Sequence, residues 1–256
     1  MRSAAAVVLA LALGGPLDVR PDETPDWKAD LRDVKAVLQA AGNELWKHAG
    51  DRPAAVVRVS PKGGPITLYR RGPNGEFIVR LDTGESYWAQ YTYQMSHELG
   101  HVLAGVVEAE HRQKWFEESL CEAASLFVLR RSAETWKTAP PLRGSESFAP
   151  ELRGYADQVM KGAGLPAGKT LAAWYGENQA ALEAKEDDRP RNRVVALELL
   201  PLLEKEPERW ESLAWLNAEK LPRDASFAAY LAAWRKRAPE RHRAFIAEVT
   251  KRFAVE

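Results

Sequence analysis

His97, Glu98, Leu99, Gly100 and His101 read H-E-x-x-H. On a helix, positions i and i+4 share one face a single turn apart, so His97 and His101 would aim two imidazoles at one point. Two imidazole nitrogens at about 2.0–2.1 Å suit one Zn2+. Glu98 lies beside that face, where its carboxylate can take the proton of an activated water. The chemistry implied is zinc-assisted hydrolysis, most often of a peptide bond. The setting favours a metal over a core helix that happens to carry two histidines. Tyr91, Met95, Leu99, Val102, Leu103 and Val106 make an apolar stripe at helical spacing. Gly100 costs about 0.8–1.0 kcal/mol relative to Ala inside a helix, and a close crossing with another helix would explain it.

Two imidazoles leave a tetrahedral zinc one protein ligand short. The segment Trp115-Phe116-Glu117-Glu118-Ser119-Leu120-Cys121-Glu122 offers it. The spacing predicts a first helix ending near Glu108, a turn, and a return helix from near Lys114 that sets Glu118 opposite the histidines. Glu122, four residues on, shares that face and can accept the other ring N–H of a ligating His. Glu117 and His111 are the other nearby donors. The polar run 108–114 around His111 reads as a solvated turn. Cys121 is the only cysteine, so no intrachain disulfide forms, and it reads as a small core residue.

The two motifs together resemble the gluzincin, or peptidase MA-like, zinc metallopeptidases. In that group H-E-x-x-H on one helix is followed by a Glu ligand on the next, in an aromatic-x-x-Glu-Gly/Ser setting. Trp115 to Ser119 fits that setting, with Glu118 in the ligand position and Glu122 matching an acidic residue that many members carry. The resemblance covers roughly residues 54–130. It departs in a gap between His101 and Glu118 somewhat shorter than in thermolysin-like enzymes and large aminopeptidases. No Gly-x-Met-Glu-Asn signature precedes the zinc helix, so aminopeptidase specificity does not carry over. A metzincin would need Gly and His where Ala104 and Val107 stand. The resemblance implies zinc on His97, His101 and Glu118, Glu98 as general base, and a Tyr or His donor to the oxyanion from the region after the zinc helices. Tyr155, Tyr175, Tyr230 and His242 are available, and Tyr175, in Trp174-Tyr175-Gly176, is the choice.

The elements around the motif can be read in outline. Trp27, Leu31, Val34, Leu38, Ala41 and Leu45 predict an amphipathic helix over 26–48. Segments 54–60, 66–71 and 76–83 read as strands, and Gly72-Pro73-Asn74-Gly75 as the hairpin turn between the last two. The expected fold is therefore α+β, a small antiparallel sheet packed on the zinc helices. Segment 76–83 is the expected edge strand for substrate backbone. Past the linker 139–145, segments 149–162, 168–184, 191–204, 207–219 and 225–253 read as helices, punctuated by Pro201 and Pro222. The division expected is a leader at 1–15, a catalytic domain at 26–135 and a helical region at 145–256.

Composition bounds the partners. The chain has 256 residues, enough for one catalytic domain or two small ones. Its 36 basic and 36 acidic residues cancel, which gives no field for nucleic acid or anionic membranes. Arg2, a run of about ten apolar residues and Gly14-Gly15-Pro16 resemble a bacterial-type signal peptide, too short for a stable membrane span. An exported zinc peptidase acting on peptide or protein substrates is the expectation. The alternatives are a zinc-binding but non-catalytic scaffold module, and a metal-free helical protein with a fortuitous motif. Glu98 argues against the scaffold, which has no physical need for it.

Overall fold

The structure, a computed structural model, describes residues 15–255. All but the last residue of the expected leader lie outside them. The fold is α+β, and its sheet is mixed rather than antiparallel. Strands β1 (Leu17–Pro21), β2 (Ala55–Ser60), β3 (Ile66–Thr67) and β4 (Phe77–Arg80) lie in the order β1-β2-β4-β3. β1 and β4 flank β2 in parallel, and only β3 runs antiparallel, against β4.

One of the two parallel pairs comes from β1, which the sequence hides between Pro16 and Pro21. Its residues alternate, Leu17 and Val19 inward and Asp18 and Arg20 outward. Parallel pairing needs a crossover of a dozen or more residues, and α1 (Leu31–Trp46) supplies it. Asp30 caps that helix, its carboxylate accepting the Arg32 N–H at 2.8 Å. A separate 3-10 turn, Pro25–Trp27, takes up the start of the expected 26–48 helix. The outer edge of β1 is closed by Gln39, whose amide accepts from Val19 N–H and donates to the Leu17 carbonyl, both at 2.9 Å.

The 72–75 turn forms as expected, with Gly75 at φ +84° and its N–H on the Gly72 carbonyl at 3.0 Å. It makes β4 an inner strand between β2 and β3, so the substrate-edge role expected for 76–83 is corrected. The exposed edge belongs to β3.

Two helices carry the motifs, α2 (Trp88–Leu103) and α3 (Lys114–Thr135). They cross closely at Gly100, where a Cβ would come within 2.7 Å of Cys121 Sγ and 3.1 Å of its Cα. α2 ends at Leu103, earlier than the expected Glu108. Gly105 and Val106 turn left-handed there, at φ +97° and +53°, and Val106 N–H returns to the His101 carbonyl at 3.1 Å. A β-branched residue in that region costs about 1–2 kcal/mol. The buried Arg52 guanidinium caps the same helix end on the Val102 and Leu103 carbonyls.

Beyond lie α4 (Ala149–Met160), α5 (Leu171–Ala184), α6 (Arg189–Lys205), α7 (Phe227–Arg237) and α8 (Glu240–Phe253). Pro201 sits inside α6 rather than ending it. Segment 207–219 is mostly a 3-10 stretch, Pro207–Trp215, and 225–253 splits at Pro239 into α7 and α8. One continuous apolar core runs from the sheet through α2 and α3 into these helices. α3 is its axis, packed on α2 and on α6. Among the described residues no helix is long and apolar enough to cross a membrane.

Candidate metal centre

α2 is buried on most of its surface, and its imidazoles emerge where its last two turns face the start of α3. His97 Nε2 lies 3.1 Å from Glu118 Oε2, and His101 Nε2 lies 3.4 Å from Glu118 Oε1. The two rings are 5.3 Å apart, inclined at 69°. Two Nε2 atoms and one carboxylate therefore meet in one place, as the return-helix reading expects. Burial pushes the Glu118 carboxyl up, but the hydrogen bond from His97 and the His101 and His97 charges prevail and bring it to about 2.

His101 Nδ1 is turned the other way, onto Glu117 Oε1 at 2.7 Å. Burial alone would lower the His101 pKa, but the Cys121 sulfur and the Glu117 carboxylate outweigh it and hold it up. Glu122 does not take the part expected of it. It accepts the Tyr93 hydroxyl and the Arg193 guanidinium, at 2.5 and 2.6 Å, and joins α2, α3 and α6 away from either imidazole. Glu117 holds that place. It was legible only as a spare ligand, since the tilt of α3 decides which carboxylate reaches Nδ1.

Glu98 is 2% exposed, and its carboxylate is fixed by a residue of the sheet. The Thr67 hydroxyl, on β3, lies 2.8 Å from Glu98 Oε2 and 3.1 Å from the Glu98 main-chain carbonyl. Glu98 Oε1 has no partner among the described residues. Thr67 is missed by motif reading because its contact spans 31 positions. Alternation along the predicted strand 66–71 was the only local signal for it.

A cavity of about 390 Å³ covers these groups, with His97, Glu98, His101 and Glu118 in its wall. Pro65 to Tyr69, Val106, Val107, Lys114 and Arg189 also line it. Three of the four large apolar side chains most exposed among the described residues, Ile66, Tyr69 and Val107, lie on this wall.

Tyr175 lies elsewhere, which corrects its expected place at the oxyanion. It is buried among Trp115, Phe227 and Phe253 and is absent from the cavity wall. Burial pushes its hydroxyl pKa up. Tyr230 and His242 are buried too, on Asn217 and Glu211. His111 is buried rather than solvated, its ring against Tyr230 and its Nδ1 accepting the Gln113 N–H.

The donors fit a zinc ion. His101 Nδ1 is occupied, which leaves its Nε2 for a metal, and Glu118 sets one carboxylate oxygen beside each Nε2 atom. Donor atoms of His97, His101 and Cys121 also lie within 4.8 Å of one another. Cys121 is fully buried, its thiol is pushed up to about 12 by burial, and it does not reach the cavity. Glu118 reaches it, so Glu118 could serve as the third ligand. Comparison with protein-family models, curated proteins and solved structures finds no match to this chain.

Proposed function

We propose that the protein is a zinc-dependent hydrolase of peptide bonds. The observation that carries the reading is the convergence of His97 Nε2, His101 Nε2 and the Glu118 carboxylate in one cavity with a buried, oriented Glu98. Zinc held by these three residues would polarise a peptide carbonyl and acidify water. Glu98 Oε1 faces the work of a general base. It takes the proton of the attacking water and passes it to the leaving amine as the C–N bond breaks. Thr67 holds the other carboxylate oxygen, so the base keeps one orientation.

The edge of β3 supports a peptide as the substrate. Leu68 N–H donates to the Ile78 carbonyl at 2.9 Å, so by alternation Thr67 turns its own N–H and C=O away from β4. An extended peptide could pair with those groups and lie across the cavity. Arg189 is our candidate for the part expected of Tyr175. It lies on the cavity wall, lowers the pKa of Glu118 by its charge, and pairs with no carboxylate among the described residues. Its free N–H groups suit a developing oxyanion.

The test is metal content followed by cleavage of a peptide library. Wild type should bind one zinc and lose activity to a chelator, and zinc should restore it. Glu98→Gln should keep its zinc and its fold while losing at least about 100-fold in rate. Equal cleavage by Glu98→Gln, or full zinc occupancy in His97→Ala, would overturn the assignment. Zinc binding with no cleavage of any peptide would favour the scaffold module instead.

A further inference from the structure

His101 is held from outside the helix pair. Glu117 Oε1 meets its Nδ1 at 2.7 Å, and Glu117 Oε2 accepts Asn217 Nδ2 at 2.6 Å. Asn217 Oδ1 in turn accepts the Tyr230 hydroxyl at 3.0 Å. The Asn217 amide also reaches the Ala104 carbonyl, at the end of α2, at 3.4 Å. Asn217 follows the 3-10 stretch Pro207–Trp215 and lies 100 positions beyond Glu117, and Tyr230 is on α7. Asn217 is 9% exposed and Tyr230 1%.

The chain of bonds has one consistent arrangement. Both Glu117 oxygens are engaged, so the carboxylate cannot turn without losing a buried partner. Asn217 must present its N–H groups to Glu117, because its carbonyl there would face a carboxylate. The Ala104 carbonyl, an acceptor only, selects the same orientation, and the Tyr230 hydroxyl donates to the Oδ1 left facing it. Neither Asn217 nor Tyr230 lines the cavity.

We propose that Asn217 and Tyr230 are positioning residues of the metal centre. Through Glu117 they fix the His101 ring and the direction of its Nε2, so metal affinity is set in part by the C-terminal helices. The inference rests on the zinc reading above. Outer partners of this kind are worth about 10–100-fold in metal affinity.

The measurement is the zinc Kd by competition with a chromophoric chelator, with the visible spectrum of the cobalt-substituted protein as a second readout. Asn217→Leu should weaken zinc about 10–100-fold and shift the cobalt bands. Tyr230→Phe removes one hydroxyl and should act in the same direction with smaller size. Trp234→Phe is the control. Trp234 is on the same helix α7 as Tyr230, and the change breaks its 2.8 Å bond to the Ser212 carbonyl, with no hydrogen-bonded path to His101, so it should lower Tm and leave Kd unchanged. If Asn217→Leu does not fold, Tyr230→Phe decides alone. Wild-type affinity in the folded variants would overturn the inference, as would equal loss in Trp234→Phe. A wild type that binds no zinc would instead remove the metal reading itself.

Discussion

Thr67 and Glu98 show how little of the candidate site is carried by its motif. Glu98 is named by its place between two histidines, but its orientation comes from a hydroxyl on β3 at 2.8 Å. Thr67→Val keeps the shape and removes the donor. It should lower kcat by about tenfold while zinc content stays at the wild-type level, with single-turnover hydrolysis as the check. Tyr175→Phe should leave kcat and KM unchanged, because that hydroxyl lies in an aromatic cluster. His97, Glu98, His101 and Glu118 were legible because they are spaced by helical turns and one short loop. Thr67, Asn217 and the true part of Glu117 were not. Their contacts span 31, 100 and 16 positions and depend on how elements dock. Glu122 and Tyr175 were misplaced for the same reason: a residue type in a suitable neighbourhood does not say which way its element is turned.

At the scale of elements, the crossing of α2 and α3 sets the centre. Gly100 allows it, since a Cβ would fall 3.1 Å from the Cys121 Cα and 2.7 Å from its sulfur. Ala would gain helix propensity of about 1 kcal/mol and lose more to overpacking. Gly100→Ala should therefore be destabilising by about 1–3 kcal/mol in denaturant unfolding, and it should weaken zinc by separating Glu118 from the imidazoles. A stabilised variant with unaltered zinc affinity would contradict the close crossing. The sequence already pointed to this contact through the cost of a mid-helix glycine. It could not show that the sheet is mixed. The alternation of Leu17 and Val19 is only a few residues long and is bracketed by prolines, so β1 reads as loop. Nor does the hairpin reading of 66–83 show that β4 lies parallel beside β2, with β3 outside it. Nor could the spacing show where α2 stops, because Val106 adopts a conformation its own type disfavours.

At the scale of the whole molecule, the expected boundary near 135–145 is crossed by buried polar bonds, Glu122 to Arg193 and Glu117 to Asn217 among them. Acid stability is a property of this shared interior. His48 packs edge-on against Phe127, and its Nε2 is buried without a partner. Burial, aided by the charges of Lys47 and Arg131, lowers its pKa from 6.5 to about 4. The unfolded chain therefore binds this proton first as pH falls. The His48 contribution to stability should be full above about 6.5 and decline between about 6.5 and 4. His48→Phe should flatten that part of the curve of Tm against pH. An unchanged slope would show that His48 is not the group responsible.

The sheet has one sealed border and one open border. Gln39 seals the first, and the second is β3, two residues long and part of the cavity wall. A ledge so short offers few main-chain bonds, and it can offer them only to a chain that is itself fully stretched. Folded polypeptides keep such stretches paired inside their own sheets. On the proposed function, the enzyme would therefore choose its targets by conformation before composition. It would ignore a native protein and cut the same protein once a segment had come loose, which would make its rate on any one target a gauge of how far that target has unravelled.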